Sequence, residues 1–225
     1  MKKTIILAAM LALPTFAGQK VIVNQAPVAP VTPVAAPAVA SPWSVEGAFT
    51  YNWALSKIWK HSEGMPDPKL KSIMGGDLTG VYALDENQAV TLRFGYTWAG
   101  KKVAYNGAHE KVRMHTFYLM PGYRYTCPIA TDWSFFAGVN VGVANASLKY
   151  TYYYDGEGKD SAHKAAWGFA YSIEAGVRYA CTENVDVFFA WDFNGNTASC
   201  KPSGWENKTK AQINTGFRVG VGVKF

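Results

Sequence analysis

Beyond its first residues the chain has no uninterrupted apolar run approaching the ~18 residues that a membrane-spanning helix needs. Any passage through a bilayer would therefore have to be made by strands. Cysteine is scarce: Cys127, Cys181 and Cys200 show no CxxC pair and no histidine at metal-ligand spacing. That leaves no basis for a zinc or redox motif, and no metal or cofactor is expected. Histidine is nearly as scarce, with His61, His109, His115 and His163 all expected in or near polar loops. A nucleophile needs a base within hydrogen-bond reach and a third group that orients the base. The nearest approach is Asp160, Ser161 and His163, and such close neighbours in a loop rarely hold that geometry. The expectation is a protein that is not an enzyme.

The N-terminus is a different material. Lys2 and Lys3 precede a ten-residue apolar run from Thr4 to Leu13, and Thr15 and Ala17 place small residues before a cleavage point. Residues 1–17 read as a secretory signal peptide, with no cysteine after the cut for lipid attachment. Residues 18–42 follow as a Pro/Ala-rich spacer, with Pro27, Pro30, Pro33, Pro37 and Pro42 blocking both helix and ladder pairing.

From Trp43 to Phe225 the chain alternates apolar and small or polar residues with the period of a strand. The opening run WSVEGAFTYNW places Trp43, Val45, Phe49, Tyr51 and Trp53 on one face and Ser44, Glu46, Thr50 and Asn52 on the other. Seven more segments follow: about 76–84, from Val90 to Trp98, 113–125, 133–145, 167–179, 185–193, and from Ile213 to the end. Short turns are expected at 85–88, 126–132 and 181–184, alternating with long polar loops at 54–75, 99–112, 148–165 and 195–211. The expected fold is all-β: an eight-stranded antiparallel up-and-down transmembrane β-barrel spanning residues 43–225.

A soluble barrel or sandwich would also alternate, but it would turn charges outward. Here the apolar face is bulky and uncharged, while the other face carries glycines and a few charges of both signs. About ten residues at 3.4 Å, tilted by roughly 40°, span about 26 Å, the height of an apolar membrane band. Trp53, Trp98, Trp167 and Trp191 fall at the loop end, and Trp43, Trp133 and Tyr179 at the turn end. Two aromatic girdles are what lipid interfaces select.

The inner face is expected to join Glu46, Glu174, Asp186 and Asp192 to Arg93, Arg124, Arg178, Arg218 and Lys224 in a polar plug. The rival reading is a gate, in which rearranged ion pairs open a water path. The long-loop regions hold thirteen lysines against seven carboxylates, a basic rim suited to the phosphates of lipopolysaccharide. Tyr150, Tyr152, Tyr153 and Tyr154 form either an exposed binding patch or a hairpin that outgrows the membrane. Cys127 and Cys181, on turns at one end, are expected to pair, leaving Cys200 free.

Two pieces of the sequence carry a resemblance. Arg218, Gly220, Val223 and Phe225 fill a terminal pattern polar–x–Gly–x–x–apolar–x–aromatic, and GVYALDENQAVTLRFGYTW is similar to a strand–turn–strand pairing. Over about 43–225 the chain resembles the OmpA/OmpX-like small outer-membrane β-barrel family, including its opacity-type members. No globular peptidoglycan-binding domain follows, unlike full-length OmpA. The resemblance implies a monomer in the outer membrane whose last strand, ending on Phe225, is read by the assembly machinery. It also implies lipid and lipopolysaccharide as neighbours, no nucleic acid, and loops that meet a host or surface ligand. The expected role is envelope support or surface interaction; the alternative is a small low-conductance channel.

Overall fold

The computed structural model describes residues 41–56, 72–105, 108–153, 159–200, 209 and 211–225. The expected signal peptide and nearly all of the spacer lie outside them. Eight strands close into one antiparallel barrel in chain order. They are β1 (Trp43–Ala54), β2 (Ser72–Ala83), β3 (Gln88–Tyr105), β4 (Ala108–Pro128), β5 (Trp133–Tyr153), β6 (Lys159–Ala180), β7 (Val185–Asn196) and β8 (Gln212–Lys224). The ring shuts where β8 pairs with β1, from Ser44 opposite Lys224 to Ala54 opposite Asn214.

The turns show why the chain reverses where it does. Asp85 accepts hydrogen bonds from the backbone N–H of Asn87 (2.8 Å) and Gln88 (2.7 Å), an Asx turn joining β2 to β3. Thr182 Oγ1 does the same between β6 and β7, accepting from Val185 N at 3.0 Å. Phe225 N donates to Trp43 O at 3.2 Å, so both ends of the barrel domain meet at the turn end.

The expected strands are present, but two of the expected long loops are not loops. β3 and β4 stay paired as far as Tyr105 opposite Ala108, and β5 and β6 as far as Tyr153 opposite Lys159. Most of 99–112 and 148–165 is therefore hairpin. The alternation continues there with its polarity reversed. Val112, Met114 and Leu148 now point inward and are buried, while Arg113 and Lys149 point outward and are exposed. Lys101, Lys102, Lys111, Lys149, Lys159 and Lys164 accordingly sit on strands.

Elsewhere the outer face is apolar and the inner face is polar or small. Phe94, Leu119, Val143 and Phe169 form one exposed cross-strand row. Inside, Gly95 makes room for a ring: a Cβ there would stand 2.2 Å from the Tyr118 hydroxyl, which crosses it from β4. Pro121 lacks the N–H a ladder uses, and β4–β5 pairing skips from Leu119 opposite Val143 to Gly122 opposite Asn140.

Candidate functional site

The lumen holds the concentration of charge. Arg124 on β4 reaches across to Glu46 on β1, with Nη1–Oε1 at 2.5 Å and Nη2–Oε2 at 3.0 Å, a bidentate pair. Its Nη2 also contacts Glu174 Oε1 on β6 at 2.9 Å. Arg218 on β8 holds Glu174 Oε2 at 2.9 Å and Asp77 on β2 at 2.5 Å. Arg93 on β3 links Asp77 Oδ2 (3.1 Å) to Asp192 Oδ1 on β7 (3.2 Å). Arg178 donates to Glu46 and to Asp186 Oδ2 (3.0 Å). These bonds tie opposite walls of the barrel through its centre.

The charges nearly balance. Five buried carboxylates (Glu46, Asp77, Glu174, Asp186 and Asp192) face four guanidinium groups. The half-exposed Lys224 Nζ, 3.9 Å from Asp186, supplies a fifth cation. Glu174 and Asp192 stand directly opposite each other on β6 and β7. Two like charges so placed repel, and Arg93, 3.9 Å from Glu174 and 3.2 Å from Asp192, lies against both.

Two inward phenylalanines complete the layer. Phe136 and Phe188 meet edge-on with centroids 6.0 Å apart. The guanidiniums of Arg124 and Arg218 each lie 5.0 Å from one of those rings, in cation–π range. The ring faces thus cover guanidinium surfaces that water would otherwise solvate.

The nine interior residues singled out from the sequence all fall in this cluster, Lys224 at its exposed edge. Asp77 is the member that sequence reasoning missed. SIMGGDLTGVYA has apolar residues on both faces, with Ile73 and Val81 inward and Met74 and Leu78 outward, so its own alternation is mute. The neighbouring turn held the signal. Closing at 85–88 sets Thr79 opposite inward Arg93, which turns Asp77 inward as well.

Above the charged layer the wall is lined by amides: Asn214 Nδ2 donates to Asn194 Oδ1 at 3.1 Å, and Asn196 Nδ2 to Gln212 Oε1 at 3.1 Å. A cavity of about 30 Å³ lies there, bounded by Asn52, Arg93, Thr116, Tyr118 and Asn214. That is room for one or two waters. Over it sits an apolar lid of Ile73, Ala99, Val112, Met114, Leu148 and Cys200. Cys200 arrives from the β7–β8 connection, where Thr209 N donates to Cys200 O at 2.8 Å and Thr209 Oγ1 accepts from Cys200 N at 2.7 Å. Burial pushes the Cys200 thiol up from its ordinary value, against the opposing effect of Lys164.

On the outside, Trp43 stacks edge-on with Tyr82 (4.8 Å) and Trp133 lies against Tyr179 (5.0 Å) at the turn end. At the other end Trp53 and Trp191 flank Phe217 at 5.3 Å and 4.8 Å. Trp98 lies 6.0 Å from Tyr96, and Trp167 is 73% exposed. In the terminal pattern, Arg218 points inward and is fully buried, whereas Val223 and Phe225 are exposed.

The cysteine expectation is overturned: Cys127 and Cys181 are both free. Cys127 pairs with Phe135, and Phe135 with Val177, so Cys181 lies two strands over and four residues farther along. That separation is about 16 Å, against a ~7 Å limit for Cα atoms joined by a disulfide. His163 Nε2 meets Ser147 Oγ at 2.7 Å rather than Ser161, and His115 Nδ1 meets the Tyr96 hydroxyl at 2.5 Å. The Asp160 side chain lies outside the described residues, as do His61 and the His109 side chain. Among the described residues no group of three or more His, Cys, Asp or Glu side chains is disposed to hold a metal ion.

The comparison that decides the family is a match to the outer membrane protein beta-barrel domain over residues 26–225. The chain belongs to this outer-membrane β-barrel family. The membership makes it an outer-membrane barrel, with its apolar face toward lipid. Among solved structures it is similar to Neisserial surface protein A, at 18% identity and a TM-score of 0.48, covering 83% of this chain and 99% of that one. It is similar to Ail, the attachment invasion locus protein of Yersinia pestis, at 13% identity and a TM-score of 0.48, covering 82% and 99%. It is similar also to OprG from Pseudomonas aeruginosa, at 20% identity and a TM-score of 0.47, covering 83% and 97%. No curated protein matches the sequence.

Proposed function

We propose that this outer-membrane barrel is a non-enzymatic, closed anchor, exported by its N-terminal segment, that supports the envelope and carries two rigid hairpins beyond the bilayer for surface interaction. The observation that carries this reading is the ion-paired lumen: opposite walls are cross-tied, and the cavity above the charged layer has room for a water or two. A conducting path would require Arg93, Arg124 and Arg218 to leave buried partners together, each break costing about 3–5 kcal/mol. The hairpins owe their stiffness to continuous pairing on both strands and to an apolar filling between them.

Planar-bilayer recording of the refolded protein tests this. Quiet membranes are expected; steady conductance steps would instead establish a small low-conductance channel. Loss of binding to cells or surfaces on shortening the β3–β4 and β5–β6 hairpins, with heat-modifiable gel mobility retained, is the matching expectation for their exposed ends.

A further inference from the structure

Between the charged layer and the apolar lid the lumen is a box with a different material on each side. Its floor is the Arg93–Asp192 pair at 3.2 Å. Its walls carry the amides of Asn52, Asn194, Asn214 and Gln212. Ile73 borders the cavity and also packs in the lid with Cys200.

Three buried residues on this cavity each have one polar atom left over from their other bonds. Arg93 commits Nη1 to Ser172 and Asp192 and Nη2 to Asp77, and Asn214 commits Nδ2 to Asn194. Arg93 Nε, Asn214 Oδ1 and Thr116 Oγ1 find no hydrogen-bond partner among the described residues, and all three residues border the same cavity. The first is a donor, the second an acceptor, and the threonine hydroxyl is both. Such groups in a native interior are met by protein or by ordered water. A cation there would face the Arg93 guanidinium and an anion the Asp192 carboxylate, so the box suits a neutral donor and acceptor. At about 30 Å³ that molecule is water.

The roof is a strap. Past the end of β7, Thr197 N donates to Phe169 O at 2.9 Å, and Phe169 N donates to Thr197 Oγ1 at 2.9 Å. Ala198 N donates to Asn196 Oδ1 at 3.2 Å, and the Cys200 thiol to Ala146 O on β5 at 3.3 Å. The strap crosses β6 where that strand offers no side chain: a Cβ at Gly168 would stand 2.2 Å from Ala198 N.

We propose that the cavity is a sealed hydration site, its water held on Arg93 Nε, Thr116 Oγ1 and Asn214 Oδ1 and exchanged with the outside when the 197–200 strap lifts. The floor opens only if several buried ion pairs part together. The strap is held by a few hydrogen bonds and by the burial of Ala198 and Cys200, so it is the side that gives way first. The site goes beyond the anchor reading and does not depend on what the hairpin ends meet.

The test uses the refolded protein in uncharged maltoside micelles. Water–protein NOE and ROE spectra, with asparagine and threonine labelled, are expected to show long-lived water at the Thr116 methyl and the Asn214 side-chain amide. Thr116→Val keeps the shape but removes one anchor, and is expected to lose the Asn214 signal while Cys200 stays protected. A small thiol reagent is expected to add two labels to the folded wild-type chain, at Cys127 and Cys181. Gly168→Ala should add a third, Cys200 reacting about tenfold faster or more, with the water signals fading in step. Thr197→Val deletes only the hydroxyl that receives Phe169 N; it is expected to act in the same direction, and it carries the test where Gly168→Ala loses its heat-modifiable folded band. Absence of long-lived water at Thr116 and Asn214 in the wild type, or an unchanged Asn214 signal in Thr116→Val, would overturn the proposal. So would water signals that persist while Cys200 is labelled, or a Cys200 that stays protected in both strap variants.

Discussion

Replacing Arg218 with methionine removes the cation that makes the most hydrogen bonds at the centre of the lumen. Its Nε and Nη2 hold Asp77, its Nη1 holds Glu174, and its Nη2 accompanies Thr79 Oγ1 at 2.9 Å, with no exposed surface. Breaking a buried pair by deleting one partner costs about 3–5 kcal/mol. Asp77 would keep Arg93 at 3.1 Å and Glu174 would keep Arg124 at 2.9 Å, so neither carboxylate is stranded. The lower end, about 3 kcal/mol, is therefore expected. Arg218→Met/Asp77→Asn removes the surplus negative charge as well and should recover about 1–2 kcal/mol, within the range for contacting residues. Urea titration in micelles, followed by fluorescence of the girdle tryptophans, measures both. A loss below about 1 kcal/mol, or a double variant equal to the sum of the singles, would refute the view that these ion pairs hold the walls together.

Two further outcomes follow from local geometry. A Cβ at Gly142 would lie 2.1 Å from Leu119 O, whereas one at Gly80 meets nothing within 4 Å; Gly142→Ala should lose the heat-modifiable folded band and Gly80→Ala should keep it. Cys127 and Cys181 should react with a thiol reagent in the folded barrel and show unchanged mobility on reduction, while buried Cys200 should react only after unfolding.

The part of the fold legible in the sequence was the part in contact with hydrocarbon. There the two faces meet solvents of opposite kind, so WSVEGAFTYNW and TGFRVGVGVKF declare inside and outside without help. Legibility ended where that contrast did. Beyond the girdle both solvent and lumen change, the alternation inverts, and 99–112 and 148–165 read as loops although Val112 and Leu148 fill a lid. Asp77 was hidden for a related reason, since β2 has apolar residues on both faces and only register with Arg93 orients it. The cysteine pairing failed because position at one end of a barrel says nothing about separation around it.

The inverted alternation on β3–β6 also makes the molecule a depth gauge. Sinking by one pleat, about 5 Å along the membrane normal, would carry Arg113 and Lys149 toward hydrocarbon, where each cation costs up to about 2–4 kcal/mol near the midplane. Rising by one pleat would lift Trp98 and Phe117 out of the interface they fit. A bilayer that is too thin or too thick must therefore yield to the protein on that side. The opposite wall, with no described charge to mark its height, is free to move. Mismatch should then be taken up as tilt about the β3–β6 side, so that the barrel leans in a direction set by its own sequence.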